Sequence, residues 1–443
     1  MKKILALLLA AMMVFAMVAC TPAAEEKVLK VAAIETAYGA QMWVDVCKAF
    51  EEQTGIKVEL VTNKELEDVL SASMQGGEYP DVIHLATGRP AGLTEQFIKD
   101  KQIVDITDVL SMTVPGENKK VSDKISGGFT ETALTNPYGD GKTYLAPMFY
   151  SPCGLFYNAK LFETKGWTVP TTWDEMWALG ETAKAEGISL FTYPTAGYYD
   201  AFMYALIYSI GGAEFFNDIT NYKEGAWESE NGTTLLNILD KLADYTHPST
   251  PAQANNQDFK KNQQMVMDDE ALFMPNGTWI VGEMADYAKE VTETFQWGMT
   301  ALPAVTADGA GYSYCWFEQA WIPSGAQNVD AAKQFIAFLY SDKACQIFAN
   351  AKDADGNPSP AIQPVNGIAD MLTDDNKMFY SIYDNGAKAA MGNFASFEAI
   401  PDVTTSNVFF EPIDSLVAGT ITIEQYKANI IEKTALMRDK LLG

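Results

Sequence analysis

Histidine and arginine are scarce in this chain of 443 residues. It holds two histidines, His84 and His247, and two arginines, Arg89 and Arg438. The sequence has no His-Glu-x-x-His helix motif, no Gly-x-Ser-x-Gly elbow, no Walker loop and no Gly-x-Gly-x-x-Gly opening a helix. It therefore carries no signature of zinc proteolysis, serine hydrolysis or nucleotide binding. His84 lies in an apolar run and reads as a hydrogen-bonded core residue. Five cysteines are dispersed, without a Cys-x-x-Cys pair or metal-ligand spacing, so no cofactor or metal is expected. Cys47 and Cys345 fall on apolar helix faces and read as buried thiols. Basic charge is also short: 31 Lys and Arg face 58 Asp and Glu, a net charge of −27. So negative a surface repels a phosphate backbone, which excludes nucleic acid as a partner, and it adsorbs poorly to anionic lipid.

Long apolar runs are confined to the start. Met1-Lys2-Lys3 precedes a charge-free stretch from Ile4 to Ala19, too short for a membrane span and suited to a secretory leader. The run ends Met17-Val18-Ala19-Cys20, which resembles the lipobox of bacterial lipoproteins. That resemblance implies a signal peptide over 1–19, lipidation of Cys20 and a polar tether over 20–27. A plain signal peptide cut nearby is the alternative. Cleavage before Cys20 removes Lys2 and Lys3 and takes the net charge from −27 to −29. The expected location is the bacterial cell envelope: the outer face of the cytoplasmic membrane, or the periplasm.

The rest of the chain is too long for one core, so two lobes are expected. Val28 to Ile34, Ile56 to Val61 and Pro80 to Leu85 read as strands. Gln41 to Thr54 carries the helical stripe Met42, Trp43, Val46, Cys47 and Phe50, stopped by Gly55, and Lys64 to Met74 is a second helix. Strand, helix, strand, helix, strand implies a parallel sheet wrapped by helices, with ligands at the carboxyl ends of its strands. Helices are also expected from Asp200 to Ser209, stopped at Gly211-Gly212, and from Asn231 to Tyr245. Two more run from Asp330 to Tyr340 and from Ser341 to Asn350, capped by Asp330 and Ser341. Phe295 to Pro303 reads as a strand. Asn231-Gly-Thr233 and Asn276-Gly-Thr278 fit a glycosylation pattern and read as turns, the second projecting Trp279. The acidic loop around Asp353 and Asp355 only faintly resembles a calcium loop.

Aromatic residues are plentiful: 20 Tyr, 23 Phe and 9 Trp. Trp43, Trp173 and Trp177 sit on predicted helices and read as core. Tyr38, Tyr193, Tyr198, Tyr199, Trp279, Tyr312, Tyr314, Trp316 and Phe317 fall at loop or turn positions. A flat ring can stack on the C–H face of a pyranose while nearby carboxylates and amides take its hydroxyls.

Six segments in order resemble the carbohydrate-binding lipoproteins of ABC importers, the extracellular solute-binding family that includes maltodextrin-binding protein. They are KAFEEQTGIKV at 48–58, YPDVI at 79–83, GKTYLAP at 141–147, LFYNAKLF at 155–162, PTTWDE at 170–175 and ALFMPNGTW at 271–279. Tyr150 to Phe162 and the Asn-Gly-Thr-Trp element are similar to binders of N-acetylglucosamine and chitooligosaccharides. The resemblance implies a two-lobed α/β fold of the periplasmic-binding-protein type (type II). Lobe I would take 27–147 and 303–350, lobe II 148–302 and 351–443. It implies a monomer that delivers sugar to ABC permease subunits, with no catalysis and no cofactor.

Carried over residue by residue, the loop after the first strand offers Glu35, Tyr38 and Gly39. The loop after the third offers Arg89; the acid that accompanies this arginine in relatives is missing, which tells against a malto-oligosaccharide. The aromatic loop of the second lobe maps onto Tyr198, Tyr199 and Asp200, and the stacking tryptophan onto Trp279 beside Asn276. Trp316 and Glu318 should face the cleft, and Asn407 and Phe410 fall near a further aromatic contact. Two other readings stay open: a secreted glycosidase using a pair such as Glu35 and Glu318, and a binder of another solute such as a polyamine or a peptide.

Overall fold

A computed structural model of the chain describes residues 28–441, apart from short stretches at 37–38, 90, 127–128, 131, 133, 353–355, 357–358, 373 and 384–385. The leader, Cys20, Tyr38 and the acidic loop at 353–355 thus lie outside the described residues. Among the described residues no helix is long and apolar enough to cross a membrane.

The first half follows the expected alternation. β1 (Val28–Ile34) is a run of branched and small apolar residues, and successive side chains serve opposite faces. Leu29, Val31 and Ala33 join one core cluster, while Ala32 and Ile34 join another. The helix Gln41–Thr54 buries Met42, Trp43, Val46, Cys47 and Phe50 on the first face. Gly55 ends it with φ +76°, the left-handed conformation that costs glycine least, and its N–H donates to Glu51 O at 2.8 Å. β2 (Lys57–Asn63) and β3 (Val82–Leu85) flank β1, both parallel to it. Asp81, 1% exposed, ties the turn before β3: its carboxylate accepts from the N–H of Lys30 at 2.9 Å, Gln327 at 2.9 Å and Asn328 at 2.8 Å. Three charge-assisted hydrogen bonds satisfy a carboxylate that burial would otherwise penalise.

Two long strands then run through the whole sheet. β4 (Ala146–Asn158) pairs antiparallel with β6 (Ala271–Gly277), β7 (Trp297–Thr300) and β8 (Tyr312–Trp321). β5 (Ser189–Phe191) extends the sheet beyond β6, and β9 (Lys388–Ala390) pairs parallel with β8. The order is β2-β1-β3-β8-β4-β6-β5. β8 meets β3 through Gln319–Trp321 and β4 through both ends, with a register irregularity in β4 between Pro147 and Tyr150. β4 and β8 therefore connect the sheet around β1 to the sheet around β6. The second half buries a core of its own, including Trp173, Phe191, Phe202, Trp227 and Phe409.

Several local expectations are corrected. The helix from Tyr199 runs to Thr220, through a kink where Gly211 and Gly212 leave helical geometry, so the glycines bend it rather than end it. Asn231 lies in the first turn of the helix Glu230–Tyr245, capped by Ser229, and is no loop turn. Pro275, Asn276 and Gly277 are strand residues of β6 paired with Leu155, Gly154 and Cys153; the turn falls at Thr278-Trp279. Asn328, not Asp330, stands at the N-cap of Val329–Leu339. Ser341 does cap the next helix, accepting from Ala344 N–H at 3.1 Å. The 3-residue β5 and a buried C-terminal half-core at Val408 to Phe410 were not read from the sequence. Cys47, Cys153, Cys315 and Cys345 are free and buried.

Candidate functional site

A pocket of about 460 Å³ opens where the N-terminus of the helix Tyr199–Thr220, the end of β6 and the middle of β8 converge. Thr195, Gly197, Tyr198, Asp200, Ala201, Asn276, Trp279, Glu283 and Trp316 line it. Five of these, Tyr198, Asp200, Asn276, Trp279 and Trp316, are residues singled out from the sequence.

Each is held by its local structure. Thr195 Oγ1 accepts from Gly197 N–H at 3.2 Å and shapes the turn that presents Tyr198. The Tyr198 hydroxyl donates to Glu283 Oε1 at 2.7 Å, and Gln263 Nε2 donates to Glu283 Oε2 at 2.6 Å. The Tyr198 ring stacks on Phe259 at 6.1 Å and tilts toward Trp279 at 6.0 Å. Burial and the Glu283 carboxylate push the Tyr198 hydroxyl well above the usual phenol range. The Trp279 indole packs against Gly277: a Cβ there would fall 2.0 Å from the ring, so only glycine fits beside it. Trp316, opposite Ser151 on β4, leaves 38% of its surface exposed and meets Tyr314 edge-on at 5.4 Å. Two indoles and a phenol thus present ring surface to one pocket.

The polar groups are few. Asn276 is 2% exposed; its Oδ1 accepts from Gly277 N–H at 2.9 Å, which fixes the amide, and its Nδ2 has no partner. A buried N–H without an acceptor costs about 1–3 kcal/mol until something accepts from it. Asp200 accepts from Ala201 N–H, and its recessed position pushes its carboxyl up to about 7 through loss of hydration, an effect that hydrogen bond only partly offsets. Asp200 still reaches solvent through the pocket, so protonated and ionised forms coexist there near neutrality.

The remaining sequence candidates lie elsewhere. Arg89 Nε donates to Glu67 Oε2 at 2.9 Å, so the arginine is paired with a buried glutamate from a neighbouring helix. Glu35 is 3.9 Å from Lys64 Nζ, and Gly39 turns the loop with φ +75°. Glu318 Oε2 approaches buried His84 Nε2 at 3.2 Å without hydrogen-bond alignment. None of these four lines the pocket. Tyr199 is corrected: it is 2% exposed and packs on Tyr193 and Phe202. Phe410, 5% exposed, is core against Phe394, and Asn407 caps a local turn through Thr404 and Asp402. Tyr193, Tyr314 and Phe317, read as loop aromatics, are also buried. Trp43 and Trp173 are core as expected, but Trp177 is half-buried, with Lys241 Nζ 4.5 Å over its ring. The sequence reading missed Glu283, whose signal was its place four residues after Trp279, one helical turn on. Among the described residues no cluster of His, Cys, Asp and Glu could hold a metal.

Two sheet halves joined by long shared strands, with an aromatic pocket beside the junction, define a two-lobed solute-binding fold. The bacterial extracellular solute-binding protein family matches residues 45–379, most of the chain, and the chain belongs to that family. It is 25% identical over 341 residues to the diacetylchitobiose binding protein NgcE of Streptomyces coelicolor, covering 74% of this chain and 69% of that protein. It is 21% identical over 389 residues to a maltooligosaccharide ABC transporter solute-binding lipoprotein of Streptococcus pneumoniae, covering 85% and 80%. In fold it is similar to the bacterial solute receptor AcbH, which prefers β-D-galactopyranose, with a TM-score of 0.73 and 17% identity over 93% of this chain and 100% of that one. The raffinose complex of RafE gives 0.60 and 18%, over 93% and 100%.

Proposed function

We propose that this substrate-binding protein captures a sugar carrying an acetamido group, such as N-acetylglucosamine or a short chitooligosaccharide, and delivers it to an ABC permease. The observation that carries the reading is Asn276 Nδ2, a fixed, buried donor without an acceptor in the pocket that the half-buried Trp279 and the exposed Trp316 line. An acetamido carbonyl or a ring hydroxyl accepts from it, the rings cover the pyranose face, and Asp200 accepts from an amide or hydroxyl proton. Glu283 already takes two hydrogen bonds and Asp200 is partly protonated near neutrality, which favours a neutral ligand over a polyamine. The similarity to a diacetylchitobiose binding protein supports the same class. Glu35 is held near Lys64 and neither Glu35 nor Glu318 lines the pocket, which speaks for binding without catalysis.

In this reading β4 and β8 are the hinge between lobe I (27–147 with 303–350) and lobe II (148–302 with 351–443), and a monomer is held at the envelope by lipid on Cys20. Closure requires contacts made only in the closed state, because a ligand that binds both states equally shifts neither. Calorimetry across N-acetylglucosamine, N,N′-diacetylchitobiose, maltotriose, raffinose, galactose and spermidine tests it. Tightest binding of an acetamido sugar is expected; tightest binding of spermidine, or hydrolysis of a chitooligosaccharide, overturns it.

A further inference from the structure

A second cavity opens in the described structure, apart from the pocket of Trp279. It measures about 810 Å³, falls within the range of small-molecule sites, and shares no lining residue with that pocket. The two meet the β4–β8 ribbon through side chains of opposite orientation. Neighbouring residues of a strand point to opposite sides. Trp316, which pairs with Ser151, lines the pocket already described; the next residue, Phe317, pairs with Tyr150, which lines the second cavity. The walls come from Ser126, Phe129, Thr132 and Leu134, from residues 365–369, from the far half of the helix Tyr199–Thr220 and from described residues on either side of β9.

We propose that this cavity is a second binding site, for a neutral mono- or disaccharide. Tyr208 and Phe216 lie 4.3 Å apart on one wall, and Tyr150 and Tyr383 lie 6.4 Å apart on the other, so ring surface is offered from two sides. Amides supply the polar recognition. Asn217 is exposed and its side chain makes no hydrogen bond to a described residue, leaving both a donor and an acceptor. Asn366 commits Nδ2 to the carbonyls of Asp123 and Ile125, leaving Oδ1 to accept from a hydroxyl. Lys388 is the one charged residue among the described lining residues, and its ammonium sits 6.0 Å over the Tyr312 ring. In a chain with 58 acidic residues, a large cavity whose described walls are rings, amides and hydroxyls fits an uncharged polyol better than an ion. The lining joins Phe129 and Val365 of one core to Phe216 of the other, so an occupant bears on how the two halves sit about the ribbon.

The test separates the two sites. Trp279→Ala and Trp316→Ala each impair the pocket, and Ala213→Trp fills the second cavity from an exposed helix position. Saturation-transfer NMR and calorimetry use galactose, N-acetylglucosamine and N,N′-diacetylchitobiose as probes, with melting temperatures confirming folding. The expected result is saturable binding of at least one probe in both tryptophan variants, at a Kd of about 1 mM or tighter, weakened about tenfold or more when Ala213→Trp is added. Absence of saturable binding up to about 10 mM in the tryptophan variants overturns the proposal, as does residual binding that Ala213→Trp leaves unchanged. If the tryptophan variants bind as the parent does while Ala213→Trp alone removes all binding, the second site stands and the assignment of the aromatic pocket falls.

Discussion

Asn393 packs against Gly88 across the junction of the two sheet halves. A Cβ on Gly88 would sit 2.8 Å from Asn393 Nδ2, closer than real Cβ contacts. Gly88 belongs to the loop after β3, next to Arg89, and its N–H donates to Glu95. Asn393 follows β9, and its Oδ1 accepts from the Tyr314 hydroxyl at 2.9 Å, which turns Nδ2 toward the glycine. Gly88→Ala should therefore hold the halves apart and weaken sugar binding about tenfold. At φ +78° alanine also strains the loop itself, so the variant alone is ambiguous. Adding Asn393→Gly should restore part of the lost affinity if the clash is the cause. Calorimetry on the single and double variants decides it, and no recovery in the double variant removes the contact from the account of closure.

Replacement of Trp279 should separate binding from stability. Its ring rests on Gly277 and borders the pocket, so Trp279→Ala should cost about 2 kcal/mol or more of binding, roughly thirtyfold. Trp173, 3% exposed, is the core control: Trp173→Ala should lose about 3–5 kcal/mol of stability. Affinity and melting temperature of both variants check the pair, and a Trp279→Ala protein that binds as the parent does would count against the platform.

Asp200 makes both stability and binding depend on pH. Its folded-state pKa of about 7 lies above that of an exposed aspartate, so the folded chain holds this proton more tightly than the unfolded one. From about pH 4 to 7 the folded state binds more protons, and this group's contribution to stability falls as pH rises. Asp200→Asn should flatten that part of the melting-temperature profile. Affinity should run the other way if the ionised carboxylate accepts from the sugar, strengthening as pH rises through 7. Equal slopes in parent and Asp200→Asn would show that the carboxyl titrates where an exposed one does.

Cys20 can be tested without any structure. Cys20→Ala should move the protein from the membrane fraction to the soluble envelope or medium fraction. Retention as firm as the parent's would exclude lipid on this residue as the anchor.

Local physics decided what the sequence alone determined. The β1-helix-β2-helix-β3 order was legible because apolar periods of 2 and 3.6 and the stop at Gly55 are set by residues adjacent in the chain. Ser341 announced its cap for the same reason, through one hydroxyl and the N–H three residues on. The scarcity of arginine and histidine narrowed the chemistry before any fold was known. Tertiary structure decided the rest. Tyr198 and Tyr199 are neighbours with the same chemistry, yet one borders the pocket and the other is core, because a helix turns its residues about 100° apart and only packing says which way is in. Asn-Gly read as a turn at 276–277 but became strand, since pairing with β4 outweighed the local preference. The meeting of Asp200, Asn276 and Trp316 joins residues from three distant parts of the chain. No local period encodes that meeting; it exists only once β4 has paired with both β6 and β8.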